Sequence, residues 1–298
     1  MTMPMALDRI LPWTAYPLVV GFGIGLHVTM VAFGQSIAFS TYAPVLLAAG
    51  MVTWLERNFP YDPAWQAQRA DVKEDLWFMV IVQLVLPRAL AFFFVVSLIE
   101  PLRSLDVPLS DYWPHHWPVW AQALLMLLAA DFLRYWLHVW AHKNGFLWRF
   151  HAVHHSPPKL YWLNVGRFHP VDKGLQFLLD ALPFILLGVA APVIALYFMF
   201  YAVNGFFQHS NIKLRFGVLN YLISSAELHR WHHSRLARES NNNYGNNLII
   251  WDLLFGTWFL PRAREIHDIG LVNRRYPYSF LQQMRTPFVP RLHELDEQ

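Results

Sequence analysis

Long apolar stretches separated by polar loops dominate the chain. They cover residues 17–34, 37–55, 76–99 and 118–141, and a longer one covers 175–207. At about 1.5 Å per helical residue, each of the first four crosses or nearly crosses a hydrocarbon core of roughly 30 Å. The pattern predicts four transmembrane helices.

The stretch 175–207 differs in length from the other four. It is too long for one ordinary crossing, and two legs of about 24 Å each would be slightly too short for two full crossings. Pro183, Gly188 and Pro192 lie near its middle, where a chain turns. We expect a helical hairpin that dips into the bilayer, or just crosses it, and returns to its starting side.

The charges of the loops predict an orientation. The loop 56–75 has three Lys or Arg residues and the loop 142–174 has five, whereas the loop 100–117 has only Arg103. By the positive-inside rule, the first two loops and both chain termini are cytoplasmic, and 100–117 is external.

The polar segments 138–174 and 208–265 are predicted to form a helical cap on the cytoplasmic side. No internal repeat or low-complexity linker interrupts the 298 residues. The expected architecture is therefore one all-α, multi-pass membrane domain that covers the whole chain.

Composition excludes several classes of protein. Hydrophobic residues make up 55% and charged residues 14%, against roughly 25% charged residues in a typical soluble chain. Disordered, collagenous and disulfide-stapled proteins are thereby excluded. The absence of Cys excludes zinc fingers, thiolate iron–sulfur sites and cysteine nucleophiles. The net charge of +3 is small, and we expect no nucleic-acid partner.

The histidines are the unusual feature. The chain has fifteen, and eight lie in the segments H-V-W-A-H, H-A-V-H-H and H-R-W-H-H. On a helix these spacings place imidazoles on one face. Neutral imidazole binds iron, copper and zinc, and eight are too many for one tetrahedral site, so we expect two metal ions. The eight are His138, His142, His151, His154, His155, His229, His232 and His233.

The histidine segments and their surroundings resemble the membrane sterol desaturase / fatty acid hydroxylase superfamily. The resemblance covers about residues 124–261 and rests on D-F-L-R-Y-W-L-H-V-W-A-H, W-R-F-H-A-V-H-H-S, R-F-H-P-V-D, F-Q-H-S-N-I, E-L-H-R-W-H-H-S, N-Y-G-N-N and W-D-L-L-F-G-T-W. It implies a helical membrane domain under a cytosolic cap that holds two non-haem irons by histidine.

The resemblance also implies site residues. The eight histidines would be ligands, together with His209 of the Q-H-S-N segment, and His169 would be either a ligand or a hydrogen-bond partner of one. Asp131 and Tyr135 precede the first pair on the same helical stripe and could orient its rings. Tyr135 is equally consistent with an interfacial aromatic residue. Many relatives have Arg where this chain has Val139.

The function implied is dioxygen-dependent oxidation of a lipid C–H bond in a sterol, fatty acyl chain or related lipid taken from the bilayer. Hydroxylation and desaturation share the first hydrogen abstraction, and the sequence does not separate them. Two Fe ions would be the cofactor, with Zn able to replace them in purified protein, and O2 the co-substrate. Electrons would come from an external ferredoxin- or cytochrome-type protein with its reductase.

Two other classes stay open on the sequence alone. A zinc-dependent membrane lipid hydrolase would need a general-base Glu inside a metal segment, as in H-E-x-x-H, and none is present. A non-enzymatic metal-binding membrane protein would leave unexplained why the histidines follow apolar spans.

Charged residues lie inside two of the predicted spans. Arg88 is about 18 Å from the cytoplasmic end of 76–99, at a depth similar to that of Asp131 in 118–141. A lone Arg at that depth is costly. We expect Arg88 either to pair with Asp131 or to reach a wet cavity or the interface.

Overall fold

A computed structural model describes residues 5–289 and Leu292. All regular secondary structure within these residues is helical, which confirms the all-α prediction, and only isolated β-bridges join extended segments. The α-helices are α1 (Met5–Ala32), α2 (Ile37–Asn58), α3 (Arg69–Trp77), α4 (Leu86–Phe94), α5 (Glu100–Ser104), α6 (Val119–Lys143), α7 (Gly145–His155), α8 (Pro170–Asp180), α9 (Leu182–Leu186), α10 (Ala191–His209), α11 (Ala226–His232), α12 (Ala237–Ser240), α13 (Ile250–Phe255) and α14 (Phe280–Gln283).

Five helical segments among the described residues are long and apolar enough to cross a membrane. They are Arg9–Ala32, Ile37–Asn58, Arg69–Ser104, Val119–Lys143 and Ala191–His209. The first four match the predicted spans, so the chain is an integral membrane protein. The membrane orientation stays a prediction, and the terminal residues on which it partly depends lie outside the described residues.

The stretch 175–207 is divided unequally, rather than into two similar legs. Its first part contains the end of α8, which stops at Asp180, and the five-residue α9. Its second part belongs to the 19-residue α10. Gly188 has φ +66°, a left-handed conformation that ends the helical path before α10 begins.

The third span is a continuous but irregular helix. Its α-helical parts alternate with π-helical turns over Phe78–Val85 and Val95–Ile99. Large apolar side chains such as Phe92 and Phe93 are exposed along it, as expected of a surface that faces lipid. Arg88 is exposed and donates to the carbonyl oxygen of Leu84, so its pairing with Asp131 stays a prediction.

The span α6 carries exposed tryptophans near both ends. Trp120 and Trp140 are 66% and 60% exposed. Twenty helical residues separate them, about 30 Å, which is the thickness of the hydrocarbon core. Tryptophan favours the membrane–water interface, so we expect the two interfaces of the bilayer to lie near these residues. His138 and His142 lie at the level of Trp140.

The chain divides into two compact units. Unit I comprises residues up to 67, 159–165 and 194–269, and unit II comprises 68–158, 166–193 and 270 onward. The prediction of a single domain stays a prediction.

Each unit has its own apolar core. In unit I, α1, α2 and α10 pack through side chains that include Val52, Met199 and Phe207, all completely buried. In unit II, Phe78 and Val153 pack with Phe168. Each core fixes the ends of the helices that carry the histidines of that unit.

A buried ion pair joins two helices of unit II. The guanidinium of Arg134 on α6 contacts the carboxylate of Asp180 at the end of α8, and the two side chains are 8% and 12% exposed. Arg134 lies one helical turn before His138, so the pair fixes α8 against the part of α6 that leads to the histidines.

Candidate metal centre

The corner between α6 and α7 brings four histidines together in unit II. His138 and His142 lie on the last two turns of α6. The extended backbone of Asn144 ends α6. Its side chain accepts hydrogen bonds from the N–H groups of Phe146 and Leu147 and so caps the start of α7. Because only Asn144 separates the helices, His151 and His155 on α7 face back towards α6.

We call His138, His142, His151 and His155 the corner set. One ring nitrogen of each lies within 4.8 Å of the others. The Nε2 atoms of His142 and His155 are 3.1 Å apart. Two imidazoles that share one metal at a distance of about 2.0–2.1 Å place their nitrogens about 3.0–3.4 Å apart, so the pair fits a common ion.

The second ring nitrogen of His151 is fixed by a carboxylate. His151 Nδ1 donates to Asp172 Oδ2 at 2.8 Å, and Gln176 Nε2 donates to the other oxygen of Asp172 at 3.0 Å. Burial raises the pKa of Asp172, but the electrostatic interaction and the hydrogen bond with His151 outweigh this effect, so the pKa of Asp172 is below its usual value. His151 Nε2 is buried and accepts no hydrogen bond from the described residues. A nitrogen that binds a metal has these same properties.

His154 is held on both sides within unit II. Its Nδ1 donates to the carbonyl oxygen of Arg167 at 3.2 Å. Its ring stacks on Phe168, with centroids 4.1 Å apart and planes at 11°. The Nδ1 bond leaves Nε2 as the nitrogen that can bind a metal.

His169 has a different task. Its Nδ1 accepts a hydrogen bond from the N–H of Val171 at 3.1 Å and caps α8, whose first residue is Pro170. Its Nε2 donates to the carbonyl oxygen of Met284 at 3.3 Å. Because both ring nitrogens are engaged, we leave His169 out of the ligand set.

A second cluster lies in unit I, and we call His209, His229 and His233 the α10–α11 set. His209 is the last residue of α10, His229 lies on α11, and His233 directly follows α11. One ring nitrogen of each lies within 4.8 Å of the others. The Nε2 atoms of His229 and His233 are 3.1 Å apart, the same separation as in the corner set.

Neutral acceptors orient the rings of unit I. His209 Nδ1 donates to Asn164 Oδ1 at 2.8 Å, and His232 Nδ1 donates to the carbonyl oxygen of Asn242 at 2.7 Å. These bonds fix which nitrogen carries the proton and leave each Nε2 available to a metal.

The loop that follows Asn242 is held by Asp252. Its carboxylate accepts hydrogen bonds from the N–H groups of Tyr244 and Gly245, both at 2.7 Å. Burial raises the pKa of Asp252 to about 6. A Cβ on Gly245 would lie 2.2 Å from the carbonyl oxygen of Leu248, so only glycine fits here.

Arg230 anchors α11 between two of its histidines. Its buried guanidinium donates to the carbonyl oxygens of Ser210 and Ile212, at 2.9 and 2.7 Å, and lies 4.0 Å from the ring centre of Tyr61. The bonds tie α11 to the segment that directly follows His209.

The two sets contain most, but not all, of the metal ligands that the sequence predicts. Seven of the nine predicted ligands form the two sets, and His154 and His232 have their Nδ1 atoms fixed beside them. Asp131 and Tyr135 are buried in α6; their roles stay predictions.

Sequence reasoning missed several of the groups that orient the rings. They are Asp172, Asn164 and the backbone carbonyls of Arg167 and Asn242. The motif R-F-H-P-V-D, which contains two of these four residues, was the one available signal.

The donor atoms of both sets are imidazole nitrogens. Imidazole suits iron, copper and zinc, whereas magnesium and calcium prefer oxygen ligands. The residues therefore fit the metals that the sequence predicts.

The fatty acid hydroxylase family model matches residues 123–257, which contain all nine predicted ligands. An ornithine lipid hydroxylase of Rhizobium tropici is 36% identical over 82% of this chain and 74% of its own length. An alkylglycerol monooxygenase of Danio rerio is 31% identical over 57% of this chain and 37% of its own length. A very-long-chain aldehyde decarbonylase of Oryza sativa is 27% identical over 46% of each chain.

No solved structure matches the chain. The chain spans about a third of the alkylglycerol monooxygenase and less than half of the decarbonylase. Hydroxylases and monooxygenases are oxidoreductases, so the hydrolase and the non-enzymatic alternatives are wrong. The extended likeness to the ornithine lipid hydroxylase, together with the family match over both histidine sets, shows that the chain belongs to the fatty acid hydroxylase family of lipid-oxidising enzymes.

Proposed function

We propose that this chain is a dioxygen-dependent di-iron hydroxylase of a polar membrane lipid. The observation that carries the proposal is the convergence of imidazole nitrogens in two sets, four in the corner set and three in the α10–α11 set, each with two Nε2 atoms 3.1 Å apart. A hydrogen bond between two imidazoles explains one close pair of nitrogens, whereas a shared metal explains why three or four of them converge within 4.8 Å.

One iron would be held by the corner set and the other by the α10–α11 set. His154 and His232 would complete the ligands, as the motif resemblance implies. When bound, the two irons would supply the redox chemistry by which dioxygen, with two external electrons and two protons, hydroxylates an unactivated C–H bond and leaves its second oxygen atom as water. The identity of the metal is part of the proposal, because zinc and copper also bind imidazole.

The protein's own contribution is to fix the imidazoles before metal arrives. Asp172, Asn164 and the carbonyl oxygen of Asn242 each accept a proton from the Nδ1 of one histidine. Each bond selects the tautomer whose Nε2 lone pair is left for a metal, so these three histidines would bind it through Nε2. Asp172 also supplies negative charge beside His151, which makes that imidazole a stronger donor.

The substrate we propose is a lipid with an amine-bearing polar headgroup, similar to ornithine lipid. The support is the 36% identity to an ornithine lipid hydroxylase over most of both chains. Hydroxylation is favoured over desaturation because the relatives with the higher identity are a hydroxylase and monooxygenases. The lipid would enter laterally from the bilayer.

The electron donor would be an acidic ferredoxin- or cytochrome-type protein. Unit I exposes Arg238 and Arg262 on the segments that follow α11. Positive charge there would steer an acidic donor, and the association rate would fall with ionic strength. The predicted cytoplasmic side of the cap would present these side chains to the donor.

The test is lipid analysis of cells that express the chain in a host containing ornithine lipids, under ¹⁸O-labelled dioxygen. We expect one labelled oxygen in a polar lipid, and none with the His229→Ala variant, provided that this variant is still membrane-inserted. Loss of two hydrogens without label would show a desaturase. No oxidised lipid in any class, from correctly loaded protein with a working donor, would overturn the proposal.

A further inference from the structure

Arg167 is the largest completely buried side chain of the described residues, and its surroundings are confined to unit II. Its Nε donates to Asp75 Oδ1 at 2.7 Å, and its Nη1 donates to the carbonyl oxygen of Tyr278 at 2.9 Å. The guanidinium also lies over the rings of Phe78 and Tyr278, with ring centres 4.9 and 4.3 Å away. The side chain is therefore fixed in direction by several contacts at once.

The backbone of Arg167 is held as tightly as its side chain. A Cβ on the preceding residue, Gly166, would lie 3.0 Å from Met79 Cε and 3.4 Å from Met79 Cα. The following residue, Phe168, packs in the core with Phe78. The peptide that carries the Arg167 carbonyl thus has little freedom to rotate.

That carbonyl oxygen is the acceptor for His154 Nδ1, and the neighbouring Phe168 ring stacks on the same imidazole. We infer that Arg167 is a positioning residue for His154: its guanidinium, anchored to Asp75 and to the Tyr278 carbonyl, fixes the backbone oxygen that orients the imidazole. The inference rests on the proposed function only in taking His154 as a metal ligand.

The anchors come from outside the region that matches the family model. That match covers residues 123–257, whereas Asp75 lies on α3 and Tyr278 in the C-terminal segment. Tyr278 is itself bound to α3, because its hydroxyl donates to Asp71 Oδ1 at 2.8 Å. Parts of the chain before and after the family region would therefore set the geometry of a ligand within it.

The test variant is Arg167→Lys in the full-length purified protein. Lysine keeps the positive charge beside Asp75 but lacks the planar fork that reaches two acceptors at once. We measure the rate at which diethyl pyrocarbonate modifies each histidine, by peptide mass spectrometry. We expect several-fold faster modification of His154 and an unchanged rate at His151, whose Nδ1 is held by Asp172 instead.

Two controls separate positioning from general loosening. Asp172→Asn should raise the modification rate of His151 and leave His154 unchanged. Tyr278→Phe removes the bond to Asp71 but keeps the backbone carbonyl and the ring, so it should resemble wild type at His154. A wild-type rate at His154 in Arg167→Lys, or equal acceleration at His154 and His151, would overturn the inference.

Anaerobic binding of ferrous iron gives a second readout. Arg167→Lys should weaken binding by up to about 10-fold, the lower end of the effect of losing a group that orients a ligand, because the carbonyl of residue 167 is displaced and not removed. In a His154→Ala background the same substitution should have no further effect, and a further loss would contradict the inference. If His154→Ala alone leaves iron binding unchanged, the ligand assignment of the proposed function fails, while the modification rates still decide the role of Arg167.

Discussion

Substituting the buried ion pair of unit II should show strong non-additivity. Arg134 and Asp180 are almost completely buried and in direct contact. At an effective dielectric constant of about 20, charges this close attract by on the order of 5 kcal/mol. Most of this is offset by the cost of removing both groups from water, so the pair as a whole contributes little net stability.

The single variants are therefore the severe ones. Arg134→Leu removes the cation in contact with the Asp180 carboxylate, and Asp180→Leu removes the anion in contact with the Arg134 guanidinium. We expect each to lower the free energy of unfolding by about 3–5 kcal/mol, and the double variant to lower it by less than either.

Thermal unfolding in detergent, followed by intrinsic tryptophan fluorescence, measures the effect. At roughly 2 °C per kcal/mol for a chain of this size, the single variants should melt about 6–10 °C lower than wild type. Arg103→Leu is the matched control, because its pair with Glu100 is largely exposed and should contribute little. Additive losses in the double variant would refute the reasoning.

Four further outcomes follow from the geometry. Asp172→Asn should weaken ferrous-iron binding about 10- to 100-fold in a chelator competition, and unchanged affinity would contradict its role. Gly245→Ala should lower the melting temperature by several degrees because its Cβ has no space, whereas Gly50→Ala, with nothing within 4 Å, should not. His229→Ala should lose one iron per chain by metal analysis while remaining in the membrane fraction; retention of both would remove it from the ligand set. A tag inserted at Asp111 should be accessible from outside intact cells, and protection there would reverse the orientation.

The spans and the histidines could be predicted because their signals are local. An apolar run longer than 18 residues has few alternatives to a membrane helix, and the spacing of His138 and His142 places both rings on one face without reference to the rest of the fold. The division of 175–207 was harder, because prolines and a glycine show that a helix is interrupted but not whether the two parts are equal.

The groups that orient the rings depend on tertiary structure. Asp172 lies 21 residues from His151, and no periodicity connects them. The motif R-F-H-P-V-D, which contains Asp172, also contains His169. In the structure His169 is the N-cap residue of α8, because Pro170 is the first residue of that helix and the His169 ring accepts the N–H of Val171. Backbone carbonyls, such as that of Asn242, have no sequence signature at all.

The tryptophans of α6 have a consequence for the membrane in which the enzyme works. Trp120 and Trp140 are separated by about one hydrocarbon thickness, and the first histidine pair lies beside the second of them. A thicker bilayer would draw that end of α6 into the acyl region unless the helix tilts or the lipid thins around it. The length of the host's acyl chains thus sets how far the corner set stands from water, and turnover in vesicles of graded chain length should pass through a maximum where the bilayer matches this helix.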